Sequence, residues 1–335
     1  MEECLLIDRI AAGDREACLQ MDRILASEED QTLQYLFEKA DEVCQGSFGS
    51  AVQIRAIIEF SNHCRCACAY CGLQRQNRSV RRYRMSEEEI LETVGDVAKA
   101  GYRTVILQSG EDLFYTKERM GEIIREIKAR YHIALTLSCG ERDYEDYRYW
   151  RECGADRYLI KHETSDETLY NRMHPHSTLK QRLQCQDWLR QLGYEMGSGF
   201  MIGLPGQTLR TLRDDILLLK RMGVTMAGIG PFIAHDETAL RGSEGGSAQL
   251  TLKVLALARL VLPKVHLPST TALNVKGGMR DALSCGANVI MQKATPPKYR
   301  ALYDIYPGRD CKDQPLKQQR DELIENLRKL HKTGV

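Results

Sequence analysis

The sequence predicts an α/β protein built as a complete (β/α)8 barrel of the TIM type, with a helical N-terminal extension and a C-terminal helix. Three observations predict it. From Ala51 onward, short β-type runs alternate with segments of helical periodicity, the pattern of a parallel sheet with helical crossovers. Eight such units follow in order, as barrel closure requires. Acidic and hydroxyl residues recur at the ends of the runs, where a barrel gathers its chemistry. A doubly wound open sheet is the competing architecture.

Residues 1–49 read as a helical cap packed outside the main domain. Ser27-Glu28-Glu29-Asp30 has the composition of a helix start, Leu33, Leu36 and Phe37 follow at helical spacing, and Gly46-Ser47-Phe48-Gly49 breaks the run. The barrel occupies residues 50–310. Its strands are expected at Val52–Phe60, Thr104–Gln108, Ile133–Leu137, Arg157–Lys161, Glu195–Ile202, Met226–Ile233, Val265–Thr271 and Ala287–Gln292. Ser86-x-x-Glu89 forms a capping box for a helix ending near Gly101. Later helices are expected at Lys117–Arg130, Tyr144–Cys153, Glu167–Met173, Leu179–Leu192, Leu209–Met222, Leu252–Leu262 and Met279–Cys285. Residues 311–335 supply a closing helix, Leu316–Lys332, with Leu323, Leu327 and Leu330 on one face.

The chain has 335 residues, 43% hydrophobic and 28% charged, enough for one large domain or two smaller ones. A net charge of +1 gives no electrostatic reason to bind nucleic acid or an anionic membrane. The N-terminus is acidic, its apolar run Leu5–Ile7 is too short for a signal peptide, and no segment approaches the ~20 apolar residues of a membrane helix. Twelve cysteines without an export signal point to reduced thiols in a cytoplasm.

Following the first strand, Cys64, Cys68 and Cys71 form a C-x3-C-x2-C pattern; no other register of the cysteines gives that spacing, so Cys66 is an extra. An electron-transfer cluster takes one cysteine per iron, and three cysteines leave a fourth iron open. An open position separates a reactive metal from a structural one. A zinc knot is the competing reading, with Cys66 or His63 as fourth ligand, but a second ligand pair at zinc-finger spacing is missing. Tyr70 on its own reads as a packing aromatic.

Ser109-Gly110-Glu111-Asp112 closes the second strand and puts two carboxylates where a cation would be held. Glu163 follows the fourth strand at the same face, beside Lys161. Thr178-x-x-Gln181 reads as a capping box, placing Arg182 in the first turns of a helix, where the dipole disfavours a cation unless an anion answers it. Gly197-Ser198-Gly199 and Gly203-Leu204-Pro205-Gly206 are no dinucleotide loop, because the glycines begin inside a strand. They let a ligand approach the backbone, with Met201 and Ile202 beside it. Thr136 and Ser138 end the third strand and Thr270 and Thr271 the seventh, hydroxyls suited to a small polar or anionic substrate.

These motifs together resemble the radical S-adenosylmethionine (SAM) enzymes, and within them the HydE-type [FeFe]-hydrogenase maturases. The likeness is carried by Tyr70-Cys71-Gly72-Leu73, Gln108-Ser109-Gly110-Glu111-Asp112, His162-Glu163-Thr164, Gly203-Leu204-Pro205-Gly206-Gln207-Thr208, Gly228-Ile229-Gly230-Pro231-Phe232-Ile233 and Ser269-Thr270-Thr271-Ala272, across residues 55–308. Biotin synthase and methylornithine synthase are relatives. The resemblance implies one [4Fe–4S] cluster held by Cys64, Cys68 and Cys71, and SAM chelating the open iron. SAM would lie against Tyr70, Ser109, Glu111, Asp112, Ser138, Glu163, Arg182 and Met201. Thr136, Lys161, Thr270, Thr271, Tyr303 and Tyr306 would line the substrate pocket. It implies cleavage of SAM to a 5′-deoxyadenosyl radical, a small organometallic or amino-acid-like substrate, an electron donor such as ferredoxin or flavodoxin, and transient contact with other hydrogenase maturases. Lys161 departs from the arginine common in relatives, replacing a fork of donors with a point charge. Cys311 has no companion cysteines after it, so one cluster is expected. The alternatives are an enzyme of the methylornithine-synthase or biotin-synthase kind and a non-catalytic metal-binding scaffold.

Overall fold

The computed structural model describes residues 2–275, 279–308 and 314–335, and Cys311 lies outside them. Eight parallel strands carry the barrel: β1 (Ala51–Ser61), β2 (Thr104–Ser109), β3 (Ala134–Ser138), β4 (Arg157–Leu159), β5 (Glu195–Ile202), β6 (Met226–Pro231), β7 (Pro268–Ser269) and β8 (Val289–Lys293). Their hydrogen-bonded order is β6-β5-β4-β3-β2-β1-β8-β7, all pairs parallel. A single bridge, Met226 to His266, joins β6 to the approach of β7. The eight-unit expectation therefore holds, and the ring is nearly closed.

Four strands are shorter than expected: β6 ends at Pro231 instead of Ile233, β8 begins at Val289 instead of Ala287, and β4 and β7 are cut back by the local chain turn. β4 stops at Leu159 instead of Lys161, because Glu163 takes a left-handed conformation (φ 61°) that turns the chain across the end of β5. β7 keeps only Pro268–Ser269, and Thr271 instead opens a short helix, Thr271–Val275.

Helix starts follow their caps. The Ser86–Glu89 box forms in both directions. At Thr178 only half a box forms: its hydroxyl accepts the Gln181 N–H, with no return bond from the Gln181 side chain. Ser27 does not start a helix but ends Met21–Ala26, and the following helix is Asp30–Phe48.

The N-terminal helices share the barrel's core rather than sitting apart from it. Leu6, Ile7, Ile10, Met21, Ile24 and Leu36 belong to the same buried cluster as the strand residues Ile54, Leu107 and Leu135. Helix Ala248–Val261 is buried from Thr251 onward apart from Leu252, because the barrel covers one side and Asp30–Phe48 the other. Two of its buried residues are cationic, and both satisfy backbone carbonyls. Lys253 Nζ donates to Leu25 O and Ser27 O, closing the preceding helix. Arg259 donates to the carbonyls of Gly286, Leu262, Pro263 and Val265 and to Asn288 Oδ1. At the other end of the chain, β9 (Thr333–Gly334) pairs with the start of β1, setting helix Leu316–Lys329 at the N-terminal end of the barrel.

Arg259→Ala would strand several buried carbonyls, each costing about 1–3 kcal/mol. We expect a destabilisation of about 3–5 kcal/mol in denaturant titrations; a loss below about 1 kcal/mol, the ordinary surface range, would contradict this role.

Candidate active site

The cysteine loop leaves β1 and is fastened from several sides. Arg65 Nε donates to Glu111 Oε1 at 2.6 Å, and the Arg65 N–H bonds the Glu111 carbonyl. Arg82 threads the loop from within, donating to the carbonyls of Asn62, Leu73, Gln74 and Asn77. Gly110 makes the approach of β2 possible, since a Cβ there would lie 2.2 Å from His63 O and 2.8 Å from Cys64 Cβ. Gly72 does the same after Cys71, where a Cβ would meet Asp304 O at 2.2 Å.

Cys64, Cys68 and Cys71 are partly exposed on this loop, and Cys66 is buried. Hydrogen bonding to Cys66, then burial, pushes the Cys64 thiol's pKa up. Burial pushes Cys71 up to about 12, and the charge of Cys64 adds to it. Buried thiols held close together ionise together only beside concentrated positive charge. A multi-iron cluster supplies that charge, and its assembly would release the protons. Among the described residues, no three His, Cys, Asp or Glu side chains converge on a single ion. A cubane instead takes each thiolate on a separate iron. On this chemistry the loop fits a cluster.

The predicted carboxylates separate into two kinds. Asp112 is already taken: Ser61 Oγ (2.7 Å), Arg84 Nε (2.7 Å) and Arg84 Nη2 (3.0 Å) all donate to it, and Arg84 lowers its pKa against the burial that would raise it. Asp112 thus fastens β2 to the loop and has no oxygen to spare for a ligand cation. Glu111 is buried and bridges Arg65 to the N–H of Glu141. Glu163 is pinned across β5, its N–H bonded to Gly199 O and its carbonyl to the Met201 N–H, with the Lys161 ammonium 3.0 Å from its carboxylate.

Arg182 has an anion, and it comes from the protein. Its Nε donates to Glu141 Oε1 at 2.7 Å, Nη1 donates to Lys161 O, and Ser177 Oγ donates to Glu141. Burial works against the guanidinium charge, but Tyr170 and Glu141 hold its pKa well above the ordinary value. Glu141, three residues past β3, was not singled out in the sequence. Its one signal was a carboxylate just beyond a strand end.

Tyr70 and Met201 stand in one apolar cluster with Ala69, Leu169, Met173, Leu204 and Phe232. Tyr70 is oriented by His174. Nδ1 of that ring faces the Tyr170 carbonyl (3.0 Å) and must carry its proton, so Nε2 accepts from Tyr70 Oη at 2.9 Å. Burial drives the His174 pKa down to about 3, leaving it neutral. Neither His174 nor His176 was anticipated.

The remaining predicted residues lie on β2 and β3 or follow β7 and β8. Ser109 Oγ donates to Gly110 O, and Ser138 pairs with Gln108 in the β2–β3 register. Gln108 Nε2 donates to Tyr303 Oη at 3.1 Å. Thr270 Oγ1 accepts the Leu273 N–H, and Gly230 makes room for it, because a Cβ there would lie 2.5 Å away. Thr271 begins the helix after β7, and Tyr306 is partly buried beyond β8. Thr136 is placed otherwise than expected. Its hydroxyl is buried without a partner and borders a cavity of about 10 Å3 with Arg55, Arg157, Glu195 and His266, at the N-terminal end of the barrel and away from its mouth.

Residues 58–219 match the model of the Radical SAM superfamily. The chain is 49% identical over 278 residues to the [FeFe] hydrogenase maturase subunit HydE of Thermotoga maritima, spanning 82% of this chain and 80% of that relative. It is 29% identical over 262 residues to 3-methylornithine synthase of Methanosarcina acetivorans, spanning 78% of this chain and 74% of that one. Among solved structures, methylornithine synthase (PylB) superposes with a TM-score of 0.87 at 25% identity, covering 98% of this chain and 97% of that one.

Arg182→Ala would leave Glu141 as an unpaired buried charge, and we expect a loss of about 3–5 kcal/mol in denaturant titration. Replacing both charges (Arg182→Met with Glu141→Leu) is expected to cost less than the single change; a double variant at least as unstable as Arg182→Ala would contradict the pairing.

Proposed function

The chain belongs to the radical SAM superfamily and, within it, to the family of HydE; from that premise we propose that it acts in maturation of the [FeFe]-hydrogenase cofactor, processing a mononuclear iron precursor that carries carbon monoxide, cyanide and cysteine. The observation that carries the reading is the fastened C-x3-C-x2-C loop at the barrel mouth, faced by an apolar wall and two carboxylates. When bound, the [4Fe–4S] cluster supplies the electron that splits SAM into methionine and a 5′-deoxyadenosyl radical.

Each residue would then have a task. Cys64, Cys68 and Cys71 would hold the one cluster, leaving Cys66 outside the ligand set. Tyr70, fixed by His174, and Met201 would present apolar surface to the adenine and keep water from it. Glu111 and Glu163 offer negative charge to the ammonium and sulfonium of SAM, while Arg182 offers positive charge to its carboxylate through whatever donors Glu141 leaves. Lys161, Thr270, Thr271, Tyr303 and Tyr306 would face the substrate. Lys161 would act there as a single charge that Glu163 tempers, where relatives commonly present an arginine fork. The electron would come from an acidic carrier such as ferredoxin or flavodoxin, and the product would pass in transient contact to another maturase. None of the described helices is long and apolar enough to cross a membrane.

Cys64→Ala, Cys68→Ala and Cys71→Ala are each expected to abolish reductive SAM cleavage after anaerobic reconstitution, with Cys66→Ala retaining it. Full cleavage by Cys68→Ala would remove the ligand assignment.

A further inference from the structure

Main-chain N–H groups serve two of the three cysteines. Cys64 Sγ receives the Glu111 N–H at 3.3 Å, and Cys71 lies against the Leu73 N–H. At Cys68 the neighbour is a side chain instead: His176 Nε2 lies 3.9 Å from Sγ.

The proton on that ring can be located without reference to pH. The Ala67 N–H points at His176 Nδ1 (3.2 Å), and a nitrogen that accepts a hydrogen bond carries no proton. The ring is therefore the tautomer protonated at Nε2, the nitrogen facing Cys68. Its position is set from both sides, since Ala67 and Cys68 are adjacent on the loop and His176 follows the short helix Glu167–Met173, whose Met173 carbonyl accepts the Ala69 N–H.

We infer that His176 is a positioning and tuning residue for the cluster, donating Nε2–H to the Cys68 thiolate and so raising the reduction potential of the [4Fe–4S] couple. The inference rests on the proposed function above. The physical reason is electrostatic: a donor on a ligand sulfur stabilises the reduced, more negative cluster more than the oxidised one. The step concerned is a one-electron reduction, with the electron delivered by an external low-potential carrier and no bond made or broken at His176. Beside the main-chain donors at the other two ligands, the His176 ring is a donor that one substitution can remove, so it is a place where sequence change can set how readily the cluster accepts that electron.

The test is an anaerobic redox titration of the reconstituted full chain, followed by electron paramagnetic resonance. His176→Phe is expected to lower the equilibrium constant for reduction about tenfold, which is about 59 mV for one electron. His176→Gln, whose amide can still donate, is expected to recover most of that loss. An unchanged potential in His176→Phe, or an equal fall in both variants, would overturn the assignment. A measurement on the unsubstituted protein keeps the test independent of variant folding: with 15N-histidine, pulsed resonance of the reduced cluster is expected to show a histidine nitrogen coupling, and its absence would overturn the assignment too. The two readings fail differently. If only this inference is wrong, SAM still perturbs the cluster signal; if the three-cysteine cluster on which the proposed function rests is wrong, it does not, and both fall.

Discussion

The site depends on the seam between the end of β1 and the end of β2. Gly110 admits the cysteine loop to a distance that any side chain would forbid, and three fastenings hold it there: Arg65 on Glu111, Arg84 with Ser61 on Asp112, and the Glu111 N–H on Cys64. The same short segment, Gly110-Glu111-Asp112, thus supplies close approach, a fixed charge and a sulfur donor. Loosening it would move the thiols together with the carboxylate that faces them. This is why the loop, though long and otherwise irregular, can serve as a rigid wall.

From that seam the order passes around the mouth of the barrel. Glu111 takes the Glu141 N–H, Glu141 takes Arg182, and Arg182 reaches the Lys161 carbonyl, so the ends of β2, β3 and β4 are linked by one run of hydrogen bonds. Glu163 completes it across β5 at the expense of a left-handed backbone, which costs about 1–2 kcal/mol and is held by two hydrogen bonds to β5. Adjoining this charged arc, where the Met201 N–H bonds the Glu163 carbonyl, stands the apolar cluster of Tyr70, Met201 and Phe232. A ligand with a charged end and a flat apolar end would find both, which is the shape of an amino acid joined to a nucleoside.

Much of this was legible in the sequence, for identifiable reasons. Strand and helix periodicity is a local property, so Lys117–Arg130, Glu195–Ile202 and Leu209–Met222 coincide with the expected segments to the residue. The cysteine spacing is local as well. Features that depend on distant partners were not legible. Asp112 looked as available as Glu111, and only Arg84, brought in by the loop's return, decides between them. Arg182 called for an anion, but the sequence did not reveal that Glu141 would meet it. Thr136 has the right residue type but lies one turn of the pleat too deep. His174 and His176 carry no spacing signal, because their roles come from where the loop and the helix Glu167–Met173 meet.

Whether Cys64, Cys68 and Cys71 leave one iron free for SAM decides the assignment of the site. It is tested most directly by pulsed electron paramagnetic resonance on the reduced, reconstituted chain mixed with SAM labelled with 17O in its carboxylate. A shifted cluster signal with 17O hyperfine coupling, the mark of direct ligation, is expected. A cluster signal indifferent to added SAM, with no such coupling, would contradict it.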